Sequence, residues 1–138
     1  MNEAALVLVD TSVWIDFFRR GGQAWKADLL DLLSSDRAAV VSPVVAELLY
    51  GSKGDKGESV VMDLAQSVTV LPTGLDRWIE AGVLGRALRS EGLTLSIIDC
   101  LVASVARESD LMLWTLDADF DPLFVENLLR RYQPVLTK

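Results

Sequence analysis

Apolar positions in this chain form short unbroken runs separated by longer stretches in which they recur at helical spacing. Residues 4–9, Ala-Ala-Leu-Val-Leu-Val, are continuously apolar, the pattern of a strand covered on both faces. Asp10-Thr11-Ser12 follows at once, and a Thr or Ser there can cap a helix over residues 13–19, which Gly21-Gly22 would break. Trp25, Leu29, Leu32 and Leu33 then share one helical face. Ala38–Val41 reads as a second strand, and Ser42-Pro43 as a cap with proline at the first helical position, opening a helix to about Tyr50. Residues 51–57 are a polar turn, followed by a helix over about residues 58–66. Residues 68–71 form a third strand and 75–90 a long amphipathic helix stopped by Gly92. Ser96 caps a helix to about Ser109, residues 111–115 make a fourth strand, and 134–136 a last edge strand. Strands alternating with helices predict an α/β fold with a parallel sheet.

Composition narrows the chemistry this pattern can carry. At 138 residues, with no repeat, low-complexity tract or linker, the expectation is one domain over residues 1–138. Hydrophobic residues make up 51% and charged residues 24%, a balance too apolar for disorder. The chain has no His and one Cys. That excludes His-based nucleophilic triads, His-ligated zinc, internal disulfides and Cys-rich clusters. No run approaches the ~18–20 apolar residues needed to cross a membrane, and Met1-Asn2-Glu3 lacks a basic leader, so a reducing cytoplasm is expected. An enzyme built this way leaves its chemistry to carboxylates.

Twenty acids against thirteen bases give a net charge of −7, and ordinary solubility explains most of them. Four stand in apolar surroundings. Asp10 ends the first strand, where parallel α/β sheets line their ligand crevice; a turn or cap aspartate is the plainer account. Glu47 is the only charge between Arg37 and Lys53, and lies two residues past the position a capping box from Ser42 would use; a solvated helix face is its plain alternative. Asp99 is the only charge from Gly92 to Ala106, yet Ser96 three residues earlier fits a capping box. Asp117 follows the fourth strand as Asp10 follows the first, and loop acids are common. In a parallel sheet all four can converge on one crevice. Like charges ~6 Å apart repel by roughly 3 kcal/mol at an effective dielectric of ~20, so such a nest needs protons or a cation. Oxygen ligands without His or Cys select Mg²⁺ or Mn²⁺, ions suited to phosphodiester hydrolysis.

The run Leu8-Val9-Asp10-Thr11-Ser12-Val13-Trp14-Ile15-Asp16 resembles the opening of PIN-domain proteins of the VapC toxin type. Ser42-Pro43-Val44-Val45-Ala46-Glu47-Leu48, Ile98-Asp99-Cys100-Leu101-Val102-Ala103 and Thr115-Leu116-Asp117-Ala118-Asp119-Phe120 resemble the later motifs, in order, across about residues 6 to 136. The resemblance implies a three-layer α/β/α sandwich and an endoribonuclease that cuts RNA with Mg²⁺ or Mn²⁺. Asp10, Glu47 and Asp99 would be the core metal-holding acids and Asp117 the fourth. Ser12 and Thr115 match supporting hydroxyls, and Asp119 is a further supporting candidate. A homodimer silenced by a small cognate antitoxin is also implied.

Other features weigh less. Arg19, Arg20, Lys53 and Lys56 flank loops near the motifs and are candidates for gripping RNA, although solvated helix ends are the plainer account. Trp14, Phe17 and Phe18 suit a core or subunit interface better than base stacking, and Cys100 reads as a buried inert thiol. Residues 51–57 lack the Gly-Lys-Ser/Thr ending of a phosphate loop. Two rivals remain: a phosphatase or phosphotransferase with an Asp10 or Asp117 nucleophile, and a PIN fold that binds without turnover. The haloacid-dehalogenase pattern places a second Asp two residues after the first, where this chain has Ser12.

Overall fold

The computed structural model describes residues 5–20 and 24–136, with the side chain of Arg20 left out; the break expected at Gly21-Gly22, and the N-terminal residues 1–4, lie outside the described residues. Five strands form one parallel sheet: β1 (Val7–Val9), β2 (Ala38–Val41), β3 (Thr69–Leu71), β4 (Met112–Trp114) and β5 (Arg130–Arg131), in the order β3-β2-β1-β4-β5. Between them run α1 (Thr11–Arg20), α2 (Lys26–Ser34), α3 (Ser42–Gly51), α4 (Gly54–Ser67), α5 (Leu75–Ser90), α6 (Ile97–Glu108) and α7 (Asp121–Val125). From β1 the chain steps outward to β2 and β3, then returns to the other side of β1 for β4 and β5. Right-handed crossovers on the two sides of that reversal place helices on opposite faces, giving the α/β/α sandwich.

The continuous apolar runs behave as expected for strands covered twice. Every residue of β1 and β2 is buried, and Leu113 and Trp114 of β4 join them. Helix α6 is buried from Cys100 through Ala106. Its tight partner is α5, where a Cβ on Gly85 would stand only 3.1 Å from Cys100 Sγ. A side chain at that position would push the two helices apart.

Three local expectations need correction. The edge strand is Arg130–Arg131, not residues 134–136. Two arginines carry no apolar signature, but Arg131 lies 4.1 Å over the Phe124 ring and reaches Asp121 at 2.6 Å, which fixes it beside β4. Helix α4 begins at Gly54 rather than near residue 58, so the polar stretch is mostly helix and only Ser52 and Lys53 link α3 to α4. Ser42 opens α3 as a helical residue without capping it, and its hydroxyl instead meets Thr73 Oγ1 at 2.9 Å.

Candidate functional site

Parallel pairing of β1 with β4 brings together two acids separated by more than a hundred residues. The register Val9↔Trp114 sets the residues just beyond those strands side by side, and Asp10 N donates to Trp114 O at 2.9 Å. Asp10 is only 5% exposed, so its carboxylate must be satisfied from within. Ser12 Oγ donates to Asp10 Oδ2 at 2.7 Å and Thr115 Oγ1 donates to the same oxygen at 2.8 Å. Those hydroxyls accept in turn: Leu116 N donates to Ser12 Oγ at 2.9 Å and Asp117 N to Thr115 Oγ1 at 3.0 Å. The chain entering Asp117 is thereby tied to Asp10. Among the described residues no hydrogen bond reaches Oδ1.

Glu47 comes from α3 and is held by Thr11 Oγ1, which donates to its Oε1 at 2.7 Å. Thr11 had no signal in the sequence beyond its place next to Asp10, where it read as a cap. Asp99 stands in the first turn of α6. The capping account of this turn is half right: Ser96 Oγ accepts from Asp99 N at 3.1 Å. The Asp99 carboxyl also senses the other acids. Burial first, then the charges of Asp10 and Asp117, with a smaller push from Glu47, raise it to about 6 against the lowering hydrogen bond with Ser96. Asp117 likewise serves twice, since its Oδ1 accepts from Asp119 N at 2.9 Å at the start of a short 3₁₀ turn, Ala118–Phe120.

The structure therefore brings Asp10, Glu47 and Asp117 within electrostatic reach of Asp99, with Ser12 and Thr115 bonded to Asp10. Asp119 takes part through its amide, while the residue itself is exposed. Among the described residues no group of three acid or Cys side chains closes round a single point. An all-oxygen donor set of this kind suits a hard divalent cation such as Mg²⁺ or Mn²⁺. Ser12, where a haloacid-dehalogenase pattern would have its second Asp, clamps Asp10.

Of the cationic candidates, Arg19 and Lys53 are exposed and line a cavity of about 430 Å³ that also has Glu47 in its wall. Lys56 is exposed on α4 outside that cavity, and the side chain of Arg20 lies outside the described residues. Trp14 is fully buried and Phe17 half-buried, so they belong to the packing; Phe18 is 39% exposed and lines the cavity. Cys100 is buried as expected.

An open parallel sheet whose strand order reverses at β1, with acids following the carboxyl ends of β1 and β4, is the layout of an α/β protein with a ligand crevice at its switch point. The chain matches the PIN domain over residues 7–123, and it belongs to that family. It is 31% identical to Ribonuclease VapC11 of Mycobacterium tuberculosis over 120 residues, spanning 84% of this chain and 90% of the relative. It is 36% identical to Ribonuclease VapC32 of the same species over 113 residues, spanning 81% and 85%. In fold it is similar to VapBC2 from Rickettsia felis, crystallised bound to a DNA fragment from their promoter, with a TM-score of 0.75 and 21% identity over 92% of this chain and 97% of that one.

Proposed function

We propose that this chain is a metal-dependent endoribonuclease of the VapC toxin type, hydrolysing RNA phosphodiester bonds and silenced by a cognate antitoxin. The observation that carries the proposal is the convergence of Asp10, Glu47, Asp99 and Asp117, with Asp99 pushed up to about 6 by burial and by its acidic neighbours. Such crowding is costly unless a cation relieves it. Asp10, Glu47, Asp99 and Asp117 would hold Mg²⁺ or Mn²⁺. When bound, such an ion supplies Lewis-acid polarisation of the scissile phosphate and neutralises its charge. The chain's own contribution is positioning: Ser12 and Thr115 fix Asp10 through Oδ2, and Thr11 fixes Glu47.

The names of the relatives support RNA as the substrate, and a net charge of −7 is compatible with it because the metal, rather than a basic surface, would hold the reacting phosphate. The antitoxin follows from the resemblance to VapC toxins and from the likeness in fold to VapBC2. A homodimer is supported by Leu75, Ile79 and Val83, an exposed apolar stripe four residues apart along α5. No helix among the described residues is long and apolar enough to cross a membrane, and we place the protein in the cytoplasm, where the single thiol stays reduced.

The test is cleavage of RNA by the purified chain. Activity should require Mg²⁺ or Mn²⁺, vanish in EDTA, and fall by about 10³-fold or more in Asp10→Asn and in Asp99→Asn, with circular dichroism unchanged. Full activity in both variants would sink the assignment. Expression should arrest growth, and a co-expressed small neighbouring protein should rescue it, which separates a toxin from a phosphatase.

A further inference from the structure

Arg86 and Arg89 lie three residues apart near the end of α5, both exposed. Among the described residues neither forms an ion pair or a hydrogen bond, although acids outnumber bases by seven in this chain. With Gly82, Thr94, Ile97 and Cys100 they line a cavity of about 190 Å³ that draws its walls from both α5 and α6. We propose that this cavity holds a phosphate of the bound RNA other than the scissile one, gripped by Arg86 and Arg89. This inference rests on the ribonuclease reading and deepens it.

Four observations carry it. The lining includes two cations and no acid, so the cavity favours an anion. Its volume falls below the ~300–1,000 Å³ of sites that enclose a whole small molecule, and suits one compact group. The helix dipole accounts for a cation at Arg89, in the last turn of α5, but not at Arg86, which precedes that turn. The last observation is a glycine. Glycine weakens a helix interior, and α5 carries Gly82 and Gly85 in its own. Close packing explains Gly85, whose Cβ would stand 3.1 Å from Cys100 Sγ; a Cβ on Gly82 would meet nothing within 4 Å, so packing leaves its bare backbone unexplained. A backbone without a side chain lets a phosphate come close, and the planar guanidinium fork matches phosphate oxygens in pairs. The position favours RNA as the source of that phosphate. Ile97 and Cys100 bracket Asp99 on α6, so a strand whose scissile phosphate meets the acids runs past the same end of that helix.

The test uses the full chain in Mn²⁺ and a single-stranded RNA oligonucleotide cut at one bond, with an uncharged methylphosphonate replacing each other phosphate in turn. In wild type, one substituted position should raise KM by about 10- to 100-fold with kcat little changed, the range for losing hydrogen bonds to a charged group. Arg86→Ala with Arg89→Ala should raise KM by a similar factor on unmodified RNA and then be insensitive to that position. The slope of log KM against log salt should fall by about 0.7, the value for one lost phosphate contact on a single strand. Gly82→Glu adds a carboxylate to the cavity lining without a clash at Cβ; it should raise KM likewise, and serves where the double variant fails to fold.

A wild-type KM in the folded double variant would overturn the subsite, as would a methylphosphonate scan with no sensitive position. Penalties of the double variant and the methylphosphonate that simply multiply would overturn it too. A double variant that cleaves RNA like wild type yet escapes rescue by the neighbouring small protein would assign the cavity to an acidic segment of that protein instead. Wild-type protein that cuts no RNA in Mn²⁺ would remove the ribonuclease reading, and the subsite with it.

Discussion

At the scale of single residues, the site is a set of local compromises, and Asp99 shows the sharpest one. Its amide is served by Ser96, while its carboxyl is raised from 3.8 to about 6 by burial and by Asp10 and Asp117. An acid whose folded pKa exceeds its unfolded value takes up protons on folding in the interval between them. Its influence is therefore most favourable below about pH 3.8, weakens as pH rises to about 6, and is level above that. Moving the carboxyl from 3.8 to about 6 corresponds to roughly 3 kcal/mol, but Asp99 is half-exposed and solvent screening reduces this to about 1–2 kcal/mol. Asp99→Asn should accordingly stabilise the protein in chelator at pH 7.5 by about that amount, a rise in Tm of roughly 3–8 °C that disappears near pH 4. The same change should shrink the stabilisation that Mn²⁺ gives to wild type. A melting temperature in chelator that falls on substitution would contradict a crowded site. The isolation of Asp10, Glu47, Asp99 and Asp117 in apolar sequence made these acids legible. Thr11 was not, because a hydroxyl that orients a carboxylate looks the same in sequence as one that caps a helix.

At the scale of elements, the same blindness hid a buried aspartate. Asp28 sits in the first turn of α2 between Ala27 and Leu29, and by position it reads as an ordinary acid near a helix N-terminus. In the fold it is 0% exposed, and its Oδ1 accepts from Val135 N at 2.8 Å, Leu136 N at 3.1 Å and Tyr132 Oη at 3.3 Å. Asp28 thereby lays the segment after β5 against α2. That docking, together with the pinning of Arg131 by Phe124 and Asp121, explains why the last strand lies at 130–131 and residues 134–136 do not form one. Hydrophobic periodicity carries no trace of either contact. Burial, then the charge of Asp28 and its hydrogen bond, push the Tyr132 hydroxyl up to about 12. Asp28→Ala strands two backbone amides and a phenol, and should cost about 2–4 kcal/mol in urea unfolding. Asp28→Asn keeps an acceptor but removes the charge. In a Tyr50→Phe background, where Tyr132 is the one remaining tyrosine, its phenol should then titrate lower than about 12 by ultraviolet absorbance. An unchanged titration would show that Asp28 does not act on it.

At the scale of the whole molecule, the alternation of strands and helices announced a parallel sheet, but not the strand order. The site depends on β1 lying next to β4, a pairing between segments about a hundred residues apart that local pattern does not encode. Helix α5 poses the complementary question: the sequence reads as amphipathic, but its apolar residues are spread round the helix rather than gathered on one face, and the fold leaves some of them uncovered. Ala81 and Leu88 are buried against the body of the protein, whereas Leu75, Ile79 and Val83 stand 74%, 54% and 53% exposed. One exposed apolar residue is unremarkable, but three in register along sixteen helical residues form a continuous stripe, the usual mark of an interface. A two-fold axis would let the stripe meet its own copy, as symmetric dimers require. Arg77 and Glu80 on the same helix pair with each other at 2.9 Å. Light scattering on the eluting peak at about 10 µM should give twice the 15.1 kDa mass of the chain. Ile79→Glu with Val83→Glu should give the single-chain mass, because burying two new carboxylates against their copies costs several kcal/mol. Circular dichroism of that variant should match wild type, since both side chains face solvent in the isolated chain. A wild-type chain that remains monomeric at all concentrations would rule out the homodimer and leave the stripe free for a different protein.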